Sequence, residues 1–449
     1  MELKRIDTFK NPFTLFLPFL IFYIVLILIY ATPDLYGDES RYLVFATNLT
    51  HGFFSPPTPF LDLGNGPGYS LIMAPFVALK LPLISVKLLN ALFYYISAVL
   101  LFKALERIVP YKFAAIISFV WALYPNTFEQ IPYAVSEVFA SSLIPLLIFC
   151  VTFAFNNASR KIVNRYIIAA GFTFGYLALT KPIFGYVMFA MILGTLVLAV
   201  INKKSVNYKR ILIILLIAFG VTTPWLAYTY HMTGRIFYWS SFGGNNLYWM
   251  SSPYENEYGD WHSHIFDDIN EPAEGLIPGS AKLIESIHGK DFEKIFDSPE
   301  ARKLYVKDGK IHGKPYTGLI QDDVLKRIAY ENIKSHPFKF IQNCLSNAGR
   351  MIFNYPTSYT LQKPSTLKRL PINGILLVLS AFCFIMTIAY WRKTLFSIRF
   401  LLFFGLIYFG GSILGSAEPR MFTVIVPILL FWIAYILQRT VKIKSSFTE

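Results

Sequence analysis

The chain has 449 residues, of which 55% are hydrophobic and only 15% charged, with 42 Phe and 28 Tyr. A soluble globular protein carries about 25% charged residues, and the apolar runs here recur near the roughly 20 residues that span hydrocarbon as helix, so the composition describes a polytopic α-helical membrane protein; a β-barrel shows weak ten-residue alternation instead. The net charge of +14 does not indicate nucleic acid, because the basic residues cluster in short hydrophilic gaps, the positive-inside pattern of cytoplasmic loops.

Those gaps hold Lys103, Arg107 and Lys112; Arg160, Lys161 and Arg165; Lys203, Lys204, Lys209 and Arg210; Arg392, Lys393 and Arg399; and Arg439, Lys442 and Lys444. With them inside, the topology can be followed along the chain. The first run, 12–31, follows Lys4, Arg5 and Lys10; it is too long for a signal peptide and has no clean small-x-small cleavage site, so it reads as a retained helix running outward. Residues 32–67 are then outside. Residues 68–102 hold two apolar runs around Pro82, yet charge parity allows one net crossing, so one run is expected to be re-entrant or only partly inserted. The segment 111–128 runs outward and 132–156 returns. Helices near 165–180 and 182–201 form a hairpin at Lys181-Pro182, and 210–230 runs outward again. Helices near 371–391, 396–414 and 419–439 complete a bundle of about 10–12 membrane helices.

Three parts follow: an N-terminal membrane module over 1–230, containing the outer loop 32–67; an extracytoplasmic loop region over 231–337; and an interfacial helix with the C-terminal membrane helices over 338–449. In the loop region, Val324, Ile328 and Ile333 with Lys and Glu between them predict one amphipathic helix, ended by His336-Pro337. Residues 338–354 are too polar to span, and Phe340, Ile341 and Cys344 against Asn347 and Arg350 predict a helix lying in the membrane interface. Cys150, Cys344 and Cys383 are far apart and suggest neither a zinc site nor a disulfide framework.

Chemistry is expected at the outer ends of the helices. "PDLYGDESRYLVFA" places Asp34, Asp38 and Glu39 where the chain leaves its first helix. Tyr42, Phe45, Ala46 and Leu49 share one helical face, so the acids begin a short amphipathic helix. Asp38 as a helix cap and Glu39 as a dipole-favoured first-turn acid are one reading of this stretch; a catalytic site is the other. Glu129 and Glu137 fall at the outer end of a hairpin, and an acid within a membrane helix is expected to be functional or paired. Lys181, Glu418 and Arg420 fall at other outer turns, so acids and bases from distant segments converge on one side at one depth. His262 and His264 with Asp260, Asp267 and Asp268 are a weak candidate for a divalent metal. Tyr248, Trp249, Tyr254 and Trp261 are candidates for sugar stacking or for an interfacial aromatic belt.

These pieces resemble the GT-C superfamily of integral membrane glycosyltransferases, in particular the branch holding bacterial protein O-mannosyltransferase-like enzymes and the lipid A aminoarabinose transferase. The resembling stretches are "GDESRYLVFA", "NGPGYSLIMAPF", "GYLALTKPIFG", "GGNNLYW", "ENIKSHPFKFI" and "EPRMFTVIVPIL", in order along nearly the whole chain. The resemblance implies a polyprenyl-phosphate sugar donor, transfer on the non-cytoplasmic face of a bacterial or archaeal plasma membrane, inversion at the sugar, and a catalytic first-loop acid. Carried onto this chain that acid is Asp38, with Glu39 beside it. A sugar leaving phosphate needs little acid assistance, whereas the attacking hydroxyl needs a base and the departing phosphate needs positive charge. Lys181, Arg420 and Arg41 are the candidates for that charge, and Glu137, Asn65, Tyr69 and Glu418 for the acceptor side of the site. No cofactor is required. The aminoarabinose branch has an acid followed by Lys before the Pro of the second helix; here Asn65 and Gly66 precede Pro67, so aminoarabinose is not expected as the sugar. The acceptor is a glycolipid, a glycan or a protein hydroxyl. A ligase or polymerase of lipid-linked glycan, and a transporter or flippase of lipid-linked sugars, are the alternatives. Charge at the helix ends rather than the bilayer midplane, and the lack of a visible repeat, count against the transporter.

Overall fold

The computed structural model describes residues 11–35, 37–58, 60–156, 159–201, 206–262, 277–307, 310–311, 318–362, 364–415 and 417–440. Its helices are α1 (Pro12–Tyr30), α2 (Glu39–Thr50), α3 (Pro67–Ala78), α4 (Ile84–Leu105), α5 (Tyr111–Ala122), α6 (Pro125–Gln130), α7 (Ser136–Phe155), α8 (Arg160–Thr180) and α9 (Ile183–Ile201). Then follow α10 (Val206–Thr233), α11 (Gly243–Met250), α12 (Ser280–Glu293), α13 (Pro299–Tyr305), α14 (Leu319–Ser335), α15 (Pro337–Phe353), α16 (Pro364–Ala389), α17 (Phe396–Ile413) and α18 (Pro419–Thr440). The described strands, β1 (Val306–Lys307) and β2 (Lys310–Ile311), form one short antiparallel pair.

Among the described residues, nine helices are long and apolar enough to cross a membrane: α1, α4, α7, α8, α9, α10, α16, α17 and α18. The parity problem at 68–102 resolves between α3 and α4. The 12 residues of α3 reach about 18 Å at 1.5 Å per residue, short of a hydrocarbon core of about 30 Å; α4 makes the crossing. The expected span at 111–128 is broken. It ends as α5 at Ala122, and Pro125 opens the short α6 from its first turn, where the missing N–H costs nothing. Together they run alongside α1: Phe119 packs on Phe16, Tyr23 donates to the Ala122 carbonyl at 2.6 Å, and Phe128 lies beside Tyr23.

The basic clusters gather at one end of the bundle. Lys103 lies over the Phe13 ring, Arg107 over Phe153, Arg210 donates to the Ala154 carbonyl, and Asn156 donates to Ser397. The described residues of 231–337 sit at the other end. There α11, α12 and α14 enclose a small second core of Tyr248, Trp249, Ile284, Phe292, Leu325 and Ile328. Tyr248 and Trp249 are therefore packing residues, neither sugar platforms nor belt; Tyr254 alone of that aromatic group is exposed. The predicted amphipathic helix is α14, and it stops at His336.

α15 is the amphipathic helix expected over 338–354; Asn343, Asn347 and Arg350 are buried, while Phe338, Ile341 and Leu345 are exposed. The polar side faces protein because unsatisfied backbone groups wait for it there; the apolar side faces outward, where a bilayer accepts it.

Glu39 and Lys87 form a second buried feature, their atoms 3.2 Å apart and both side chains about as enclosed as the core, at 0% and 1% exposure. Removing one partner of such a pair costs about 3–5 kcal/mol because the other charge stays buried. Lys87→Met is therefore expected to lower the thermal midpoint in detergent sharply, and Lys87→Met with Glu39→Gln to recover part of it. An unchanged midpoint in the single variant would contradict the pairing.

Candidate active site

Gly37, at φ +56°, turns the chain from α1 into α2 in a left-handed conformation that suits glycine. Asp38 follows at the capping position, but its side chain makes no capping bond. Its carboxylate instead faces two guanidinium groups: Oδ2 lies 3.0 Å from Arg420 Nη1, and Oδ1 lies 3.7 Å from Arg41 Nη1.

Arg420 is the second residue of α18, set by Pro419 in the first turn. Its Nε lies 3.0 Å from Glu418 Oε2 and 3.3 Å from Glu137 Oε1. Glu137 stands in the first turn of α7 and is buried; the same Oε1 takes Lys181 Nζ at 2.9 Å. Lys181 caps the end of α8 in an extended conformation, and Pro182 prevents that helix from continuing. The acid expected in α7 to be functional or paired is thus paired, with two cations.

The contacts close into a ring. Arg41 Nη1 donates to Asn65 Oδ1 at 3.2 Å, Asn65 Nδ2 donates to the Tyr42 hydroxyl at 2.8 Å, and Tyr42 donates to Ser136 Oγ at 2.6 Å. Ser136 completes the circuit by donating to Glu137 Oε2 at 3.4 Å. Arg41 is held further by the Phe242 ring, 4.7 Å away, and by Asp62 Oδ2 at 4.0 Å. Burial pushes the Asp62 carboxyl above its usual range, against a backbone bond from Gly64 and the charge of Arg41. Three cations, Arg41, Lys181 and Arg420, thereby meet four carboxylates, Asp38, Asp62, Glu137 and Glu418. Asp38, Arg41, Arg420 and Glu418 keep 27–45% of their side chains open, so a ligand can reach them.

Seven of the nine residues singled out from the sequence therefore share one cluster: Asp38, Arg41, Asn65, Glu137, Lys181, Glu418 and Arg420. Two do not offer themselves to a substrate. Glu39 points into the protein, bound to Lys87 and to the Ala134 amide at 2.7 Å, so the structure does not place it as a reacting group. Tyr69 is fully buried and packed edge-on against Tyr42. Ser136, Asp62 and Phe242 were not singled out. A serine before a membrane-buried Glu and an acid two residues before Gly64 are signals too common to select them.

Close backbone approach brings α3 to this site. A Cβ on Gly66 would stand 2.0 Å from the Leu179 carbonyl oxygen, so Gly66 and the end of α8 touch directly. Gly66→Ala is expected to push Asn65 and Lys181 apart and to reduce activity more than it reduces folded yield. Equal activity per folded molecule would show that this approach does not set the site.

The 231–337 segment is tied to the same loop: Ser240 donates to the Gly64 carbonyl at 3.0 Å and the Ser241 amide to the Leu63 carbonyl at 3.2 Å. Within it, Glu257 takes His288 Nε2 at 2.8 Å, the Tyr359 hydroxyl at 2.5 Å, and Ser252. Burial alone would raise the Glu257 carboxyl, but these contacts together outweigh it and hold it below its ordinary 4.5. A carboxyl depressed in the folded state adds stability above its unfolded value and loses it as pH falls through the folded value. Hydrogen-exchange protection of α12 is thus expected to fall progressively below the ordinary 4.5 of Glu257 and to become flatter with pH in Glu257→Gln. Protection with the same acid dependence in that variant would assign the effect elsewhere.

Among the described residues no cluster of His, Cys, Asp and Glu has the form of a metal site. His264, Asp267 and Asp268 lie outside the described residues. Asp260 is engaged by the Ser358 amide at 2.8 Å, by the Ser358 hydroxyl, and by Arg350 at 3.7 Å.

No protein-family model matches the chain, and no curated protein matches it. Solved structures to which it is similar include ArnT from Cupriavidus metallidurans bound to undecaprenyl phosphate, at 12% identity and a TM-score of 0.42, covering 94% of this chain and 76% of that one. They also include the oligosaccharyltransferase AglB from Archaeoglobus fulgidus in complex with an inhibitory peptide and a dolichol-phosphate, at 12% identity and a TM-score of 0.48, covering 94% of this chain and 50% of that one. A likeness this remote assigns no chemistry.

Proposed function

We propose that the protein is a membrane glycosyltransferase that moves a sugar from a polyprenyl-phosphate donor to an acceptor hydroxyl at the non-cytoplasmic ends of its helices. The observation that carries this reading is an open carboxylate, Asp38, flanked by Arg420 at 3.0 Å and Arg41 at 3.7 Å on the face of the bundle opposite its basic clusters. A base and phosphate-binding cations are the two requirements of such a transfer, and here they stand side by side.

In the reaction, the Asp38 carboxylate takes the proton of the acceptor hydroxyl as its oxygen bonds to the anomeric carbon. The bond from that carbon to the phosphate oxygen breaks, and the electron pair leaves on the phosphate as a polyprenyl phosphomonoester. Arg420 and Arg41 are suited to that anion by their planar, bidentate forks; Lys181 adds a point charge. A single displacement of this kind inverts the anomeric centre. Glu137 holds Lys181 and Arg420 in place rather than reacting, since its oxygens are already occupied. The buried Tyr42 and Ser136 complete the support. The positive-inside rule puts the cluster outside the membrane that holds it.

The test is sugar transfer by purified protein supplied with a panel of polyprenyl-phosphate sugars and membrane extract as acceptor source. Transfer of one sugar to a glycolipid, glycan or protein is expected. Donor binding without transfer for every donor and acceptor would replace the enzyme with a transporter of lipid-linked sugars.

A further inference from the structure

The buried polar face of α15 grips the chain that presents Arg420. Asn347 Nδ2 donates to the Ile413 carbonyl at 3.1 Å and to the Gly415 carbonyl, and its Oδ1 accepts from the Ala417 amide at 3.3 Å. Arg350 Nε donates to the Ala417 carbonyl at 3.2 Å, and its Nη2 donates to Asn347 Oδ1. Its remaining nitrogen reaches across to the 231–337 segment and beyond, donating to the Tyr258 carbonyl at 3.2 Å and the Pro356 carbonyl at 3.0 Å, with Asp260 at 3.7 Å. A guanidinium at 3% exposure is tolerated only when its donors are matched. These two side chains thus bond the carbonyls of Ile413, Gly415 and Ala417 and the Ala417 amide along the turn between α17 and α18.

We propose that Asn347 and Arg350 are positioning residues for Arg420. They fix the α17–α18 turn from outside the membrane bundle, and so make the aim of Arg420 at Asp38 depend on the docked segment around Tyr258 and Asp260. This rests on the reading of Arg420 as a donor-phosphate ligand. The planar fork of Arg350 reaches three separate carbonyls at once, a geometry that a lysine cannot reproduce.

Asn343 supplies the control. It is as buried as Asn347 and on the same face, but it bonds the Met250 and Ser252 carbonyls and not the α17–α18 turn. The experiment measures binding of a polyprenyl monophosphate in detergent to wild type, Asn347→Leu, Arg350→Lys, Asn343→Leu, Arg420→Ala and the Asn347→Leu/Arg420→Ala pair, each per folded molecule. Asn347→Leu and Arg350→Lys are expected to weaken binding by up to on the order of 10²-fold, the scale set by a displacement of about 1 Å at a binding group, and Asn343→Leu to change it little. In the Arg420→Ala background, Asn347→Leu is expected to add nothing, because two residues acting through one contact are not additive. Additive losses, or an equal loss in Asn343→Leu, overturn the proposal.

A second readout needs no donor. Spin labels at Ser40 and Leu414, both exposed, in a chain with Cys344→Ser, report the distance from α2 to the turn. The distribution is expected to stay narrow in Asn343→Leu and to shift or broaden in Asn347→Leu; no change in Asn347→Leu sinks the positioning role. If wild type fails to bind the phosphate while the labels behave as expected, the positioning of Arg420 stands and the donor reading falls.

Discussion

Arg420→Ala is expected to lower kcat on the order of 10²–10³-fold, the scale for losing one preorganised donor to a developing anion. The magnitude follows from the number of groups that share this side chain. Arg420 is within 3.0 Å of Asp38, 3.3 Å of Glu137 and 3.0 Å of Glu418. Without it those carboxylates repel one another across a site that must also receive a phosphate, so donor binding falls together with kcat. Arg420→Lys keeps the charge but cannot serve Asp38 through one nitrogen and Glu137 through another. An intermediate loss is expected there, mostly in kcat. Steady-state rates and donor affinity, measured on the same preparations, check both. Full activity in Arg420→Ala would remove the phosphate from this end of α18.

Asp38→Asn is expected to cut transfer by about 10²–10⁴-fold while donor binding persists, since an amide cannot take the acceptor proton. Asparagine keeps the size of the side chain and leaves both neighbouring guanidinium groups free for the donor, so affinity holds or rises. Glu39→Gln is the informative comparison. Glu39 is sealed against Lys87, and its loss is expected to show in folded yield and thermal midpoint, with activity per folded molecule retained. If Glu39→Gln loses turnover and Asp38→Asn does not, the two neighbours have been assigned the wrong way round.

The distinction between those neighbours was not available in the sequence. At about 100° per residue, Asp38 would fall four residues before Tyr42 and seven before Phe45, on the face that the apolar spacing marks as buried, with Glu39 at its edge. The structure starts the helix at Glu39 and leaves Asp38 outside it as the cap, and that break decides which acid is buried. The bundle, the run before Pro82 that is too short to span and the gathering of outer-end charges were legible because charge parity and span length constrain them strongly. The covered side of α15 was not. Periodicity shows that a helix has a polar and an apolar side, but not which side the protein covers. In a membrane the polar side can be the one turned inward, where Asn347 and Arg350 find backbone partners. The ring through Asn65, Tyr42 and Ser136 was also out of reach, since it joins residues up to 94 positions apart through hydroxyl and amide groups that occur everywhere in loops. Lys87 carries a signal of its own: a lysine inside the apolar run that forms α4 asks for a buried partner.

The most direct measurement is phosphorus NMR of a polyprenyl-phosphate sugar incubated with the reconstituted protein and membrane extract, with Asp38→Asn alongside. Transfer converts the donor phosphodiester to a polyprenyl phosphomonoester whatever the acceptor is, so the acceptor need not be known. Wild type is predicted to produce the monoester with at least one donor, and Asp38→Asn to bind that donor while leaving the diester intact. A diester that persists with every donor under wild type, or a monoester formed equally by Asp38→Asn, would contradict a glycosyl transfer based on Asp38.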